Sequence, residues 1–132
     1  MRIFVYGTLK RGHYNHRLMD MVGAEFIGEA ESVEPYLLMV ERIPYAIRPS
    51  ALPEGSPEGT PIKGEVYEVE DNYVQYIDSL ESHPQWYRRE RANFKLSDGS
   101  IVNAWIYLAP DSEYRPHEQT GPITDYNQQS IN

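Results

Sequence analysis

Short strand-like segments set close together constrain this chain more than any other feature. RIFVY (2–6), AEFIGEA (24–30), PYLLMVE (35–41), YAIR (45–48), KGEVYEVE (63–70), RRERANFKL (88–96) and SIVNAWIYLA (100–109) are rich in β-branched, aromatic or alternating apolar residues. In the first, Ile3 and Val5 alternate against Arg2, Phe4 and Tyr6; in 63–70, Val66 alternates with polar neighbours. Short connections predict mostly antiparallel pairing, and Asp98-Gly99 is a hairpin-type turn. Residues 48–61, with four prolines and two glycines, read as a surface loop.

Two segments have helical spacing. One follows Asn15, the expected cap, carries Leu18, Met19 and Val22 on one face, and ends at Gly23. The other is DNYVQYIDSLES (71–82), capped by Asp71 or Asn72. Together these elements predict an α+β fold, a curled sheet or small barrel with two helices. The 132 residues suit one compact domain. Its expected extent is 1–109, with 110–132 a polar C-terminal extension packed on it or trailing from it.

Composition narrows the function. No run of about eighteen apolar residues is present, so no membrane-spanning segment is expected. Met1 leads straight into a strand rather than a leader, and a cytoplasmic protein is expected. The lack of cysteine removes disulfides, thiolate nucleophiles and cysteine-ligated zinc. With 12 basic and 20 acidic residues the formal net charge is -8, which disfavours binding to nucleic acid. Eleven tyrosines fit either a strand-rich fold or a half-polar pocket.

The first strand runs into a loop with glycines at positions 7 and 12, the spacing of a phosphate-cradling loop. His13 and Tyr14 stand where that motif needs Lys and then Ser or Thr, so nucleotide binding is a poor reading. A cradle for a smaller anion remains compatible.

In the helix 71–82, Tyr73, Val74, Ile77 and Leu80 form an apolar stripe. Glu81 lies four residues after Ile77 and seven after Val74, and so shares that stripe. Two readings stay open for it. Glu81 sits at a frayed helix end, facing water or paired with Arg88 or Arg89. Alternatively it is partly desolvated, with a raised pKa suited to proton transfer near neutrality. Asp78 lies nearer the stripe's edge and is expected to face solvent. His13 and His16 have a spacing that fits a metal but lack a completing carboxylate, so no metal site is assigned. No serine stands in a Gly-x-Ser-x-Gly elbow. Trp86 and Trp105 read as core residues.

Val5-Tyr6-Gly7-Thr8-Leu9-Lys10, combined with Ile77-Asp78-Ser79-Leu80-Glu81 and then His83-Pro84-x-x-Tyr87-x-Arg89, resembles the gamma-glutamylcyclotransferase-like family. The likeness is nearest its gamma-glutamylamine cyclotransferase branch. Pro44-Tyr45-Ala46, Gly64-Glu65-Val66-Tyr67 and Ala104-Trp105-x-Tyr107 fit as well, so that it covers roughly 2–109. The resemblance implies a small mixed, mostly antiparallel β-barrel with flanking short helices and a pocket for a small-molecule gamma-glutamyl substrate. Carried over by position, Tyr6, Gly7, Thr8 and Leu9 bind the glutamyl head, Tyr87 also contacts substrate, and Glu81 carries the proton. Ser82 in place of a frequent glycine, the long 48–61 loop and the tail depart from the family pattern and bear on the leaving-group pocket.

The implied reaction needs no cofactor. The substrate's α-amine attacks its own γ-carbonyl, closing a five-membered ring and releasing 5-oxoproline and an amine. Holding the substrate folded exploits proximity, with effective molarities of ~10^5–10^8 M in favourable cases. Other readings are a biosynthetic deprotection enzyme, a lyase acting on glutathione, and a binding module without turnover. No segment of the sequence dictates an oligomeric state.

Overall fold

The computed structural model describes residues 1–81 and 87–127. Five strands close into a barrel in the order β1 (Arg2–Val5), β5 (Lys63–Glu68), β2 (Glu25–Ser32), β6 (Arg88–Leu96) and β7 (Ile101–Leu108). Every pairing is antiparallel except β1 with β7, which is parallel and closes the ring at Ile3↔Trp105 and Phe4↔Ile106. A second sheet has the order β4 (Ile43–Ile47), β3 (Leu37–Glu41) and β8 (Thr120–Ile123). Two short helices flank the sheets, α1 (His16–Met21) and α2 (Val74–Glu81). Among the described residues, no helix is long and apolar enough to cross a membrane. The expected mixed, mostly antiparallel barrel is the one observed.

β1 separates two apolar clusters. Phe4 joins Ala30, Val66, Phe94 and Ile106, so all five barrel strands contribute to one cluster. Ile3 and Val5 face the other, with Met19 of α1, Met39 of β3, Ile47 of β4 and Val74 and Ile77 of α2. Phe4 and Tyr6 are therefore as buried as Ile3 and Val5, because β1 is covered on both faces.

Four local expectations change. Asn15 precedes α1 but its side chain does not cap it; Nδ2 donates instead to Thr8 Oγ1 at 2.9 Å. The second helix starts later, after a 3-10 turn at Asp71–Tyr73 that follows Glu70 without a side-chain cap. In β5, Glu65 is buried rather than a solvent-facing neighbour of Val66. Trp105 lies half-buried on β7 with the guanidinium groups of Arg89 and Arg91 over its ring at 4.9 and 5.0 Å, so it is not a core residue. Trp86 falls outside the described residues.

The polar tail adds β8 to the second sheet, pairing Leu38↔Ile123 and Val40↔Thr120 with a register shift between the two, and buries Tyr126.

Candidate active site

β1 ends at Val5, and the chain passes through Tyr6 into the loop 7–14. This loop is tied to the protein at several points. The Lys10 N–H donates to Gly7 O, and the Asn15 N–H to Thr8 O, each at 3.1 Å. Lys10 is buried, its Nζ donating to Asp125 Oδ1 at 2.8 Å and Tyr126 O at 2.6 Å. Arg11 donates its N–H to Glu65 Oε1 at 2.9 Å and its Nε–H to Oε2 at 3.2 Å, while the Tyr67 hydroxyl donates to Oε1 at 3.0 Å. Buried charges are tolerated when paired and hydrogen-bonded in this way. Among the described residues, no protein acceptor takes the N–H of Gly7, Thr8 or Leu9.

The loop forms one side of a pocket of about 210 Å³. Phe4, Tyr6, Leu9, Pro44, Tyr87 and Tyr107 supply its buried surface, and Glu81 enters from the last turn of α2. Val74 and Ile77 anchor that helix in the core, whereas Tyr73 and Leu80 remain exposed. The stripe predicted from spacing is thus narrower than expected, but it still turns Glu81 inward. Loss of hydration pushes the Glu81 carboxyl up from 4.5 to about 7. Among the described residues, no cation pairs with it.

Arg89 is engaged elsewhere. Its Nε and Nη2 donate to Asp78 Oδ1 and Oδ2 at 2.8 and 3.1 Å, and the Tyr107 hydroxyl donates to the same carboxylate at 2.5 Å. Asp78 is therefore a half-buried anchor, not the solvent-facing residue expected. The register pairs Arg89 of β6 directly with Tyr107 of β7, presenting guanidinium and phenol side by side to α2. This arrangement fixes a pocket-lining tyrosine to the helix that carries Glu81.

The other tyrosines are also pinned. The Tyr6 hydroxyl donates to Tyr107 O at 2.8 Å and accepts from the Ala46 N–H at 3.2 Å, and the Tyr87 hydroxyl donates to Pro44 O at 2.7 Å. Burial raises the pKa of all three phenols, with the charge of Glu81 adding to it, so they stay neutral. Among the described residues, no group of histidines and carboxylates has a metal-binding arrangement. His16 places Nδ1 2.9 Å from Leu9 O, and His13 packs its ring on Tyr126.

All six residues singled out from sequence, Tyr6, Gly7, Thr8, Leu9, Glu81 and Tyr87, line this one pocket. Sequence reasoning missed Lys10, Glu65, Asp78 and Tyr107 as supports. Their partners lie up to 116 residues away, and only a buried-charge position in β5 could have flagged one of them.

The sequence pattern of the family described as gamma-glutamyl cyclotransferase, AIG2-like, matches residues 3–128. The chain belongs to that family. It is 39% identical over 114 residues to a human gamma-glutamylaminecyclotransferase, covering 82% of this chain and 71% of the relative. A Methanocaldococcus jannaschii protein, named only provisionally as a gamma-glutamylcyclotransferase, is 36% identical over 110 residues, covering 83% and 85%. The crystal structure of a mouse AIG2-like protein superposes with a TM-score of 0.79 at 29% identity, covering 96% of this chain and 87% of the other. As a gamma-glutamyl cyclotransferase family member, the protein is an enzyme of the cyclotransferase type.

Proposed function

We propose that this enzyme converts a gamma-glutamyl amine into 5-oxoproline and a free amine, with Glu81 as the proton carrier. The observation that carries this reading is a single pocket combining a desolvated carboxyl titrating near neutrality with three loop N–H groups that have no protein acceptor among the described residues. Glu81 takes a proton from the substrate's α-ammonium. The freed amine attacks the γ-carbonyl, and the negative charge that develops on oxygen is stabilised by N–H donors. Collapse breaks the C–N bond as Glu81 returns the first proton to the departing nitrogen. The ring nitrogen sheds its second proton through Glu81 to the released amine, which leaves as an ammonium, so that the carboxylate is regenerated. Gly7, Thr8 and Leu9 hold the substrate's carboxylate or its oxyanion, and Tyr6 and Tyr87 wall the glutamyl group in. The cysteine-free, acidic composition fits a cytoplasmic enzyme that does not bind nucleic acid.

The test is release of 5-oxoproline from gamma-glutamyl-ε-lysine, simple gamma-glutamyl amino acids and glutathione. Release with an acid limb in kcat/KM near pH 7 is the expected result; no release from any of them by folded protein would overturn the assignment.

The loop has little room to move. A Cβ on Gly7 would lie 2.6 Å from Pro44 Cγ, inside van der Waals contact with a buried ring. Gly7→Ala is expected to push the loop outward and raise KM about tenfold, equivalent to about 1.4 kcal/mol. Unchanged kinetics in that variant would argue against the loop as the substrate cradle.

A further inference from the structure

The pocket has a buried interior and an apolar, exposed rim. Tyr14 is 63% exposed and Leu80 44%, both line the pocket, and half-buried Ile43 lies beside them. Tyr14 belongs to the well-tied loop 7–14, and Leu80 immediately precedes Glu81. Exposed large apolar side chains at a pocket mouth mark a contact surface for whatever extends from the pocket. Among the described lining residues, Glu81 is the one acid and there is no lysine or arginine. Among the described residues the rim therefore offers apolar area, with Thr8 and Asn15 as its neutral polar members, and no cation for a carboxylate on the leaving group. The net charge of -8 further disfavours an anionic leaving group.

From this geometry we infer that Tyr14 and Leu80 determine leaving-group specificity, and that the preferred leaving group is a neutral-tailed, apolar primary amine rather than an amino acid or peptide. The inference rests on the reaction proposed above. With the glutamyl head beside Glu81, the amide nitrogen points its substituent toward the mouth, where an alkyl chain covers the tyrosine ring and the leucine. A zwitterionic or anionic end there meets no cation among the described residues.

Three substrates separate the possibilities: gamma-glutamyl-n-hexylamide, gamma-glutamyl-methylamide and gamma-glutamyl-ε-lysine. Their leaving amines have closely similar basicity, so differences report recognition. The expected kcat/KM for the hexylamide is at least roughly tenfold above either of the others. In Tyr14→Ser and Leu80→Ser, exposed positions where the fold is not at stake, the hexylamide-to-methylamide ratio is expected to fall toward one. Turnover of the methylamide with no preference for the hexylamide over the ε-lysine compound would overturn this inference and leave the reaction standing. A ratio unaltered by both substitutions would also overturn it. No 5-oxoproline from any of the three would overturn the reaction itself, and the inference with it.

Discussion

Glutamine in place of Glu81 is expected to lower kcat/KM for gamma-glutamyl substrates by about 10²–10⁴-fold, the range that general acid–base groups contribute. The amide keeps the shape of the side chain but can neither take the ammonium proton nor return it. The same variant carries a second, opposite signature in stability. The folded-state pKa of Glu81 is raised from 4.5 to about 7, so the native protein holds this proton more tightly than the unfolded chain does. Below about pH 4.5 the residue is protonated in both states and costs nothing. As pH rises through the window from 4.5 to about 7 the unfolded state is increasingly favoured, and above it the full penalty of a desolvated carboxylate is present. At about 1.4 kcal/mol per pKa unit the penalty reaches at most about 3.5 kcal/mol, less for a half-buried group. Denaturant unfolding of parent and Glu81→Gln at pH 5 and pH 8 should show the variant gaining stability over the parent at the higher pH. A variant that is inactive but less stable at pH 8 would mean that Glu81 sits in a structural ion pair. Near-parental turnover would remove it from the chemistry. A residue that destabilises the fold while supporting turnover is the expected trade at an active site.

Gly64→Ala is expected to cost about 3 kcal/mol or more, the upper end of overpacking effects. A Cβ at this position of β5 would lie 2.3 Å from Val5 O and 2.7 Å from the Phe4 ring. Neither neighbour can retreat. The Val5 carbonyl belongs to the barrel wall, and Phe4 is fully buried with its ring stacked on Phe94 at a centroid distance of 4.1 Å. Val5 is also the last strand residue before the loop, so displacement there carries into the pocket and activity falls with stability. Gly28→Ala is the control, because its Cβ would meet only Leu96 Cδ2 at an ordinary 3.6 Å, and a change within about 0.5 kcal/mol is expected. Equal denaturation midpoints for the two variants would contradict the close approach of β1 and β5.

The parts of this protein that could be read from its sequence are those with a local physical cause. Alternating apolar residues mark the strands, and the turn at Asp98-Gly99 lies between β6 and β7 as expected, with the Ser100 N–H donating to Asp98 Oδ1. Helical spacing puts Glu81 on the side of Val74 and Ile77 because 3.6 residues per turn is a property of the backbone alone. The motif at 6–9 and the acid at 81 were read together because their combination resembles the gamma-glutamylcyclotransferase-like family.

What was illegible depends on which surfaces meet. Val66 is buried in the barrel cluster, and Glu65 on the opposite face is buried against Tyr67 and Arg11, the latter arriving from a loop 54 residues away. Asp78 appeared solvent-facing from its helical position, yet β6 and β7 bring Arg89 and Tyr107 against it. The sequence by itself determined the seven strands β1 to β7, the helical stripe on which Glu81 lies and the loop that follows β1, since periodicity and backbone geometry are local, whereas β8 in the polar tail was not legible. Only the tertiary structure decided which charges are buried and what neutralises them, because desolvation and pairing depend on neighbours that chain proximity does not specify.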